Sequence, residues 1–455
     1  MSPSRPRAAA NKQPRRTRRS LLKCAIAAAA APFAISRGVL AAGRSPSNRI
    51  ALGIIGVRKM GGAHLDALLP RSDVVVAAVC DVDAVVREAA RARVHRTYAA
   101  AQRAATWTGC DACVEYEKLL ARDDLDAVLI ATPDHWHARI ALDACRAGKD
   151  VYCEKPLSLT VREGRAMVDA ARRFGRVFQT GSQQRSMPEF RRACELVRSG
   201  VIGRLTSVHV EVGPPSDHIE LPAETAPSGL DYDRWLGPAP WAPFHRLRVG
   251  PNYWDGWRKH IAYSGGKMTD WGAHHYDIAQ WALDADATGP VEIVPPPAAC
   301  VWPRPRWEAR DPSGPGATPD DPSWGLEMRY ANGVRVIKDG ARGVRFVGED
   351  GWIEVDRGWL TAEPRAVLAA RLRPGDARLP QSPGHHDDWL ACIRTRRRPI
   401  ADVEVGCRSA TVCHLGNIAL WLGRTIRWDP RTEQIVGDPA AARWLDRPKR
   451  APYAG

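Results

Sequence analysis

Apolar residues in the first half of the chain come in short unbroken runs, separated by stretches of helical periodicity. Residues 49–56, 74–81, 126–133, 150–153 and 177–180 each enclose such a run. Apolar runs that do not alternate predict strands buried on both faces. Between them, 63–69, 136–147 and 160–174 carry apolar positions at helical spacing, the second stopped by Gly148. Strand and helix alternate in this way over about 130 residues, which predicts a parallel sheet with helices on both faces. Residues 84–120, rich in Ala and Arg, read as a helical insertion that ends ahead of a short element at 116–121.

The pattern changes after residue 200. Residues 203–212 form a β-branched strand, and 213–264 a long loop rich in Pro and Trp (Trp235, Trp241, Tyr253, Trp254, Trp257). A loop of that length inside a compact domain marks function. Residues 265–277 run from small and polar into a helix. Residues 295–323 form a Pro- and Gly-rich excursion, and strands recur at 326–338, 344–347 and 352–355. Helices at 385–395 and 405–422 precede a polar tail, 424–455.

A formal charge of +15 invites a nucleic-acid reading, but residues 1–43 hold nine Lys or Arg and no acid. The remainder carries 57 basic against 51 acidic residues and no basic stripe interleaved with aromatics, which argues against nucleic acid. The same 43 residues contain Thr17-Arg18-Arg19-Ser20-Leu21-Leu22-Lys23, similar to a twin-arginine export signal. The Ala-rich run from Cys24 to Ala34 is too short for a stable membrane anchor. The expectation is a periplasmic or secreted protein, handled by the twin-arginine machinery and cleaved near Ala41 or Ala42. The eleven cysteines are scattered. Cys110 and Cys113 form an isolated CxxC with no second pair, read as structural, with a late disulfide as one option.

Strand, Gly-rich turn, helix and a following acid form the setting for a dinucleotide. Gly56 and Gly61 fit that turn, Arg58 stands where the middle glycine belongs, and Asp81 lies where a carboxylate binds the adenosine ribose. An acid there favours NAD, without excluding NADP. Arg58 either swings away, pairs with the phosphates or weakens binding. Asp270 and His274 are four apart, so a helix puts them on one face, where the carboxylate fixes the tautomer of a general base. Lys155, in Glu154-Lys155-Pro156 at the mouth of the sheet, suits stabilisation of oxygen charge. Arg258, Lys259 and His260 have donors for sugar hydroxyls or a carboxylate, and Trp254, Arg258 and His275 are the candidate substrate residues. His135 and His137 have metal-like spacing but no third ligand. His385-His386-Asp387-Asp388 reads as a helix start with its acids at the N-terminus. No metal is expected.

The ordered series of the Gly56–Gly61 loop, Asp81, Thr132-Pro133 with His137, Glu154-Lys155-Pro156 and Asp270-x-x-x-His274 resembles the Gfo/Idh/MocA oxidoreductases. That resemblance spans the chain after its first 43 residues. It implies a Rossmann-type domain (48–180), then an α/β domain with an open, mainly antiparallel sheet that often carries subunit contacts (181–428). A C-terminal extension (429–455) wraps the nucleotide domain. It also implies that Lys155 contacts substrate and nicotinamide ribose, that His274 is the acid/base, and that Asp270 positions substrate and His274. The loop of Thr132, Pro133 and His137 passes near the nicotinamide. The expected substrate is a carbohydrate or polyol, and the expected assembly a homo-oligomer, dimer or tetramer. A redox-neutral glycoside hydrolase, lyase or epimerase on the same fold, and a non-catalytic sugar-binding protein, are the alternatives.

Overall fold

A computed structural model describes residues 49–101, 107, 109–250, 256–297, 321 and 323–453. The expected signal at 1–43 and the candidate Trp254 lie outside them. Six parallel strands make the first sheet: β1 (Ile50–Ile55), β2 (Val74–Cys80), β3 (Asp111–Cys113), β4 (Ala127–Ile130), β5 (Asp150–Cys153) and β6 (Phe178–Thr180). Their order is β3-β2-β1-β4-β5-β6, so the chain reverses direction across the sheet between β1 and β4. β1 lies at the centre with Leu52 and Ile54 fully buried, as its unbroken apolar run requires.

Residues 84–120 are not an insertion. They contain the helix Ala84–Ala100, edge strand β3 and the helix Tyr116–Leu120. Asp83 starts the first helix by accepting from the amides of Val85 and Val86. β3 is three residues long, too short to show a period, and pairs with β2 through Cys113. Both CxxC sulfurs are free thiols, and burial pushes Cys110 up to about 12.

The second sheet has nine strands: β7 (Leu205–Val210), β8 (Glu292–Val294), β9 (Glu327–Arg329), β10 (Arg335–Lys338), β11 (Val344–Gly348), β12 (Gly351–Asp356), β13 (Trp359–Glu363), β14 (Ile426–Asp429) and β15 (Gln434–Ile435). Their order is β13-β12-β11-β7-β10-β9-β8-β14-β15. β7 and β10 run parallel and the other pairs antiparallel, giving the open mixed sheet expected. One face packs on the helices Pro188–Arg198 and Gly272–Ala282, and every residue of the latter is buried.

Two late helices also pack on the first sheet. Trp389, Leu390 and Ile393, on the helix His385–Thr395, join the core on one face of the sheet, with Trp389 against Tyr152 of β5. Val403, Cys407 and Ala410, on the helix Val403–Leu422, join the core beside β4 and β5. The tail comes back too: Lys449 pairs with Glu163 at 3.4 Å, and Tyr453 packs on Trp136 with ring centroids 5.2 Å apart.

Candidate active site

A cavity of about 970 Å³ opens beyond the carboxyl ends of β1, β2, β4 and β5 and reaches the helices around residue 270. Such an edge is where ligands bind in open α/β sheets. At one end, Gly56 adopts φ +81°, and a Cβ there would stand 2.7 Å from the Ala131 carbonyl oxygen. A Cβ on Gly61 would stand 1.8 Å from the Gly56 oxygen. The turn therefore closes onto the first turn of the helix Lys59–Leu68 only with glycine at both positions. The Asp81 carboxylate accepts from the amides of Val57 and Asp83, both at 3.0 Å. Burial pushes this carboxyl up while those amides pull it down. Arg58 lines the cavity and pairs with Asp83. A closed glycine turn, a helix N-terminus and a carboxylate at the end of β2 fit a dinucleotide without a 2′-phosphate.

Thr132 and Pro133 line the cavity, but His137 does not. Its ring is buried behind them, with Nδ1 2.8 Å from the Pro156 oxygen and Nε2 2.8 Å from the Thr132 oxygen. His137 thus ties the turn after β4 to the turn after β5 rather than touching a ligand. Burial lowers its basicity, and the two carbonyls work against that. His135 Nε2 lies 2.9 Å from the Trp235 oxygen, so the two rings serve separate carbonyls and form no metal pair.

Glu154 sits in a network that its sequence surroundings did not reveal. His64 Nε2 donates to its Oε1 at 2.8 Å, and Gln183 Nε2 donates to the same oxygen at 2.8 Å. His64 Nδ1 meets His386 Nε2 at 2.8 Å. Burial pushes the Glu154 carboxyl up, yet the His64 contact holds it below the ordinary range. His64, Gln183 and His386 all line the cavity. The histidine pair at 385–386 is therefore no mere helix start. Gly384 precedes the helix without a side-chain cap, and His385 Nδ1 bonds Ser186 Oγ at 2.9 Å.

At the other end, Lys155 Nζ donates to Asp270 Oδ1 at 2.6 Å and to the Asp270 main-chain oxygen at 3.0 Å. Arg258 Nε lies 3.5 Å from the same Oδ1, its guanidinium stacked 4.2 Å over Trp257. Burial alone would push the Asp270 carboxyl up, but Lys155 and Arg258 keep it below the usual range. The expected carboxylate–imidazole contact is not made. Residues 267–282 split around Trp271 into the helices Lys267–Asp270 and Gly272–Ala282, and Asp270 turns to the lysine. His274 lines the cavity with Nδ1 buried and unpartnered among the described residues. Burial, followed by the charges of Lys155 and Arg357, drives its basicity well below the ordinary value, so the ring is neutral. Three residues on, Asp277 anchors the helix to the buried Arg185 at 2.8 Å and to Ser409 at 2.6 Å.

Of the remaining candidates, Arg258 lines the cavity while Lys259 and His260 do not. His275 also lines it: Nδ1 donates to the Glu211 oxygen at 2.5 Å, which leaves Nε2 as a buried acceptor without a partner. Asp134, which sequence patterning did not single out, joins the wall beside Lys155.

Residues 50–182 match the sequence profile described as "Oxidoreductase family, NAD-binding Rossmann fold" of Gfo/Idh/MocA proteins. Residues 211–299 and 321–455 match the accompanying "Oxidoreductase family, C-terminal alpha/beta domain". The chain is 35% identical over 156 residues to glycosyl hydrolase family 109 protein 1 of Shewanella sp. (strain ANA-3) and 33% identical over 156 residues to the alpha-N-acetylgalactosaminidase of Shewanella oneidensis. Each alignment covers 34% of this chain and 33% of the relative. Its fold is similar to that of the aldose-aldose oxidoreductase from Caulobacter crescentus, with TM-score 0.54 and 20% identity over 83% of this chain and 99% of that one.

Proposed function

Because this chain belongs to the Gfo/Idh/MocA oxidoreductase family, we propose that it is an exported NAD-dependent enzyme acting at a hydroxyl-bearing carbon of a carbohydrate or polyol. The observation that carries this reading is the meeting of Lys155, Asp270 and His274 in the cavity whose other end is the Gly56–Gly61 turn. Gly56, Gly61 and Asp81 would hold NAD, which supplies a hydride acceptor when bound. His274, neutral and without a hydrogen bond at Nδ1, takes the hydroxyl proton. Lys155 stabilises negative charge on the substrate oxygen, and Asp270 fixes the ammonium in place. Arg258 and His275 present donor and acceptor groups to the remaining hydroxyls.

The twin-arginine-like segment at 17–23 supports export of the folded protein with its cofactor already bound. A trapped cofactor must be restored in every turnover, so the chemistry is redox-balanced: one sugar oxidised and another reduced, or one sugar oxidised only in passing. The likeness to the Shewanella alpha-N-acetylgalactosaminidase favours a second reading, in which a passing oxidation eases glycosidic cleavage. The open sheet supports a dimer or tetramer. The test is mass spectrometry of the supernatant after denaturing protein purified from the periplasm without added nucleotide. About one NAD(H) per chain is expected. Protein that stays in the cytoplasm, or is exported empty, overturns the trapped-cofactor reading.

A further inference from the structure

Two buried carboxyls share the chemical end of the cavity, and their surroundings differ. Asp270, 5% exposed, takes both nearby cations, with Lys155 at 2.6 Å and Arg258 at 3.5 Å. Asp134, 2% exposed, makes no ion pair among the described residues. Its one hydrogen-bond partner is a neutral hydroxyl, Ser264 Oγ, which donates to Oδ2 at 2.7 Å. The Gly266 amide donates to that same hydroxyl oxygen at 3.3 Å and so aims the Ser264 proton at Asp134.

Ionising both carboxyls would put two negative charges in one desolvated wall. Where environments divide such a pair, the carboxyl without a direct ion pair keeps the proton. The groups facing Asp134 come from every side: Cys153 on β5, Lys155 in the turn after it, Arg258, Ser264 and Asp270. His135 and His137 follow on its own helix, Asp134–Arg146. Burial pushes the carboxyl up to about 7, with Ser264, Arg258 and Lys155 pulling down and Asp270 pushing up. The helix N-terminus, where Asp134 is the first residue, also favours the anion. The group is thus able both to hold a proton at neutral pH and to release it.

We propose that Asp134 is the general acid of this site, giving its proton to an oxygen of the bound carbohydrate while Asp270 stays ionised beside it. This rests on the carbohydrate reading above and bears on the choice within it. Hydride removal from an alcohol needs a base alone, whereas departure of an unactivated glycosidic oxygen is aided by an acid. In that case a base takes the hydrogen beside the transient carbonyl, and that C–H electron pair becomes a C=C bond. The glycosidic carbon–oxygen bond breaks with its pair on oxygen, which takes the Asp134 proton. Water then adds across the C=C bond: its hydroxyl goes to the anomeric carbon, and the base returns its proton to the neighbouring carbon. The remaining water proton returns to the Asp134 carboxylate.

The proton is tested by infrared difference spectroscopy of the NAD-loaded protein, wild type minus Asp134→Asn. A protonated carboxyl band is expected, lost in the variant and fading in the wild type with a midpoint near 7. Carboxylate bands alone overturn the proposal. This readout needs no substrate, so it decides the protonation even where the carbohydrate reading fails. The donation is tested by pH–rate profiles with methyl α-N-acetylgalactosaminide, whose alkoxide leaving group needs the proton. Asp134→Asn is expected to lower kcat by about 10²-fold or more with little change in KM. Ser264→Ala, which removes a bond that favours the anion, is expected to move the alkaline limb to higher pH. An alkaline limb unchanged in both variants rejects Asp134 as the acid. Ser264→Ala keeps the test decisive should Asp134→Asn fail to fold.

Discussion

The ammonium of Lys155 holds Asp270 twice, by the carboxylate at 2.6 Å and by the main-chain oxygen at 3.0 Å, across 115 residues of sequence. A side chain from the parallel-sheet domain therefore fixes the backbone of the element that leads into His274. Replacing Lys155 with Met is expected to reduce turnover by about 10²–10⁴-fold. Asp270→Asn should fall by less, because the main-chain contact survives. Cofactor content by mass spectrometry should stay unchanged in both. Loss of NAD from Lys155→Met would show that the lysine acts on cofactor retention rather than on chemistry.

The neutrality of His274 predicts where activity fails in acid. Its basicity is depressed by burial and then by Lys155 and Arg357, so the acid limb of the rate profile should lie well below the ordinary imidazole value. Removing a neighbouring cation raises an imidazole's basicity. Arg357→Gln should therefore move that limb to higher pH, so that activity is lost sooner on acidification. A limb that does not move would place the titration elsewhere.

The glycine turn makes a sharper prediction. Gly61→Ala sets a Cβ 1.8 Å from a backbone oxygen, which no side-chain adjustment relieves. The protein should fold but emerge without dinucleotide. Asp81→Ser should narrow the preference for NAD over NADP by about tenfold or more, since one pK unit's worth of charge interaction is a factor of ten. Isothermal titration with each dinucleotide would measure both.

Stability should also depend on pH. Burial lowers His135 and His386 to about 4 and His260, His385 and His414 to about 3. An unfolded imidazole titrates near 6.5, at about 1.4 kcal/mol per pH unit. Above that pH both states are neutral and stability is full. Below it the unfolded chain takes up protons that the fold refuses, so stability falls as pH falls through the window down to about 4. Asp134, raised to about 7, works the other way, as do Asp81, Glu163 and Asp277, while His137, His274 and His275 add to the histidines. Calorimetry should show Tm dropping by several degrees between about pH 7 and pH 5. A flat Tm would mean that these rings are protonated in the fold.

What the sequence disclosed and what it concealed follow from the range of the forces involved. β1, β2, β4 and β5 were legible because strands covered on both faces must be apolar throughout. β3 was not, since three residues carry no period. The spacing of Asp270 and His274 put both on one helix face, but spacing along a helix could not anticipate a lysine 115 residues earlier that takes the carboxylate. His64 and His386, 322 positions apart, meet only in the folded chain. Asp134 was invisible for a different reason: its proton is kept by burial, which a sequence does not display.

The late helices also govern the order of events at the ribosome. Trp389, Leu390 and Ile393 fill one side of the nucleotide-domain core, and Val403, Cys407 and Ala410 fill the other. A nascent chain that has reached residue 182 has every strand of its first sheet but neither of those plugs. The cofactor domain therefore becomes whole only when synthesis is nearly finished. Any dinucleotide it keeps must be captured by the completed chain, and the first domain cut out at its own strand boundary would be left with an open core.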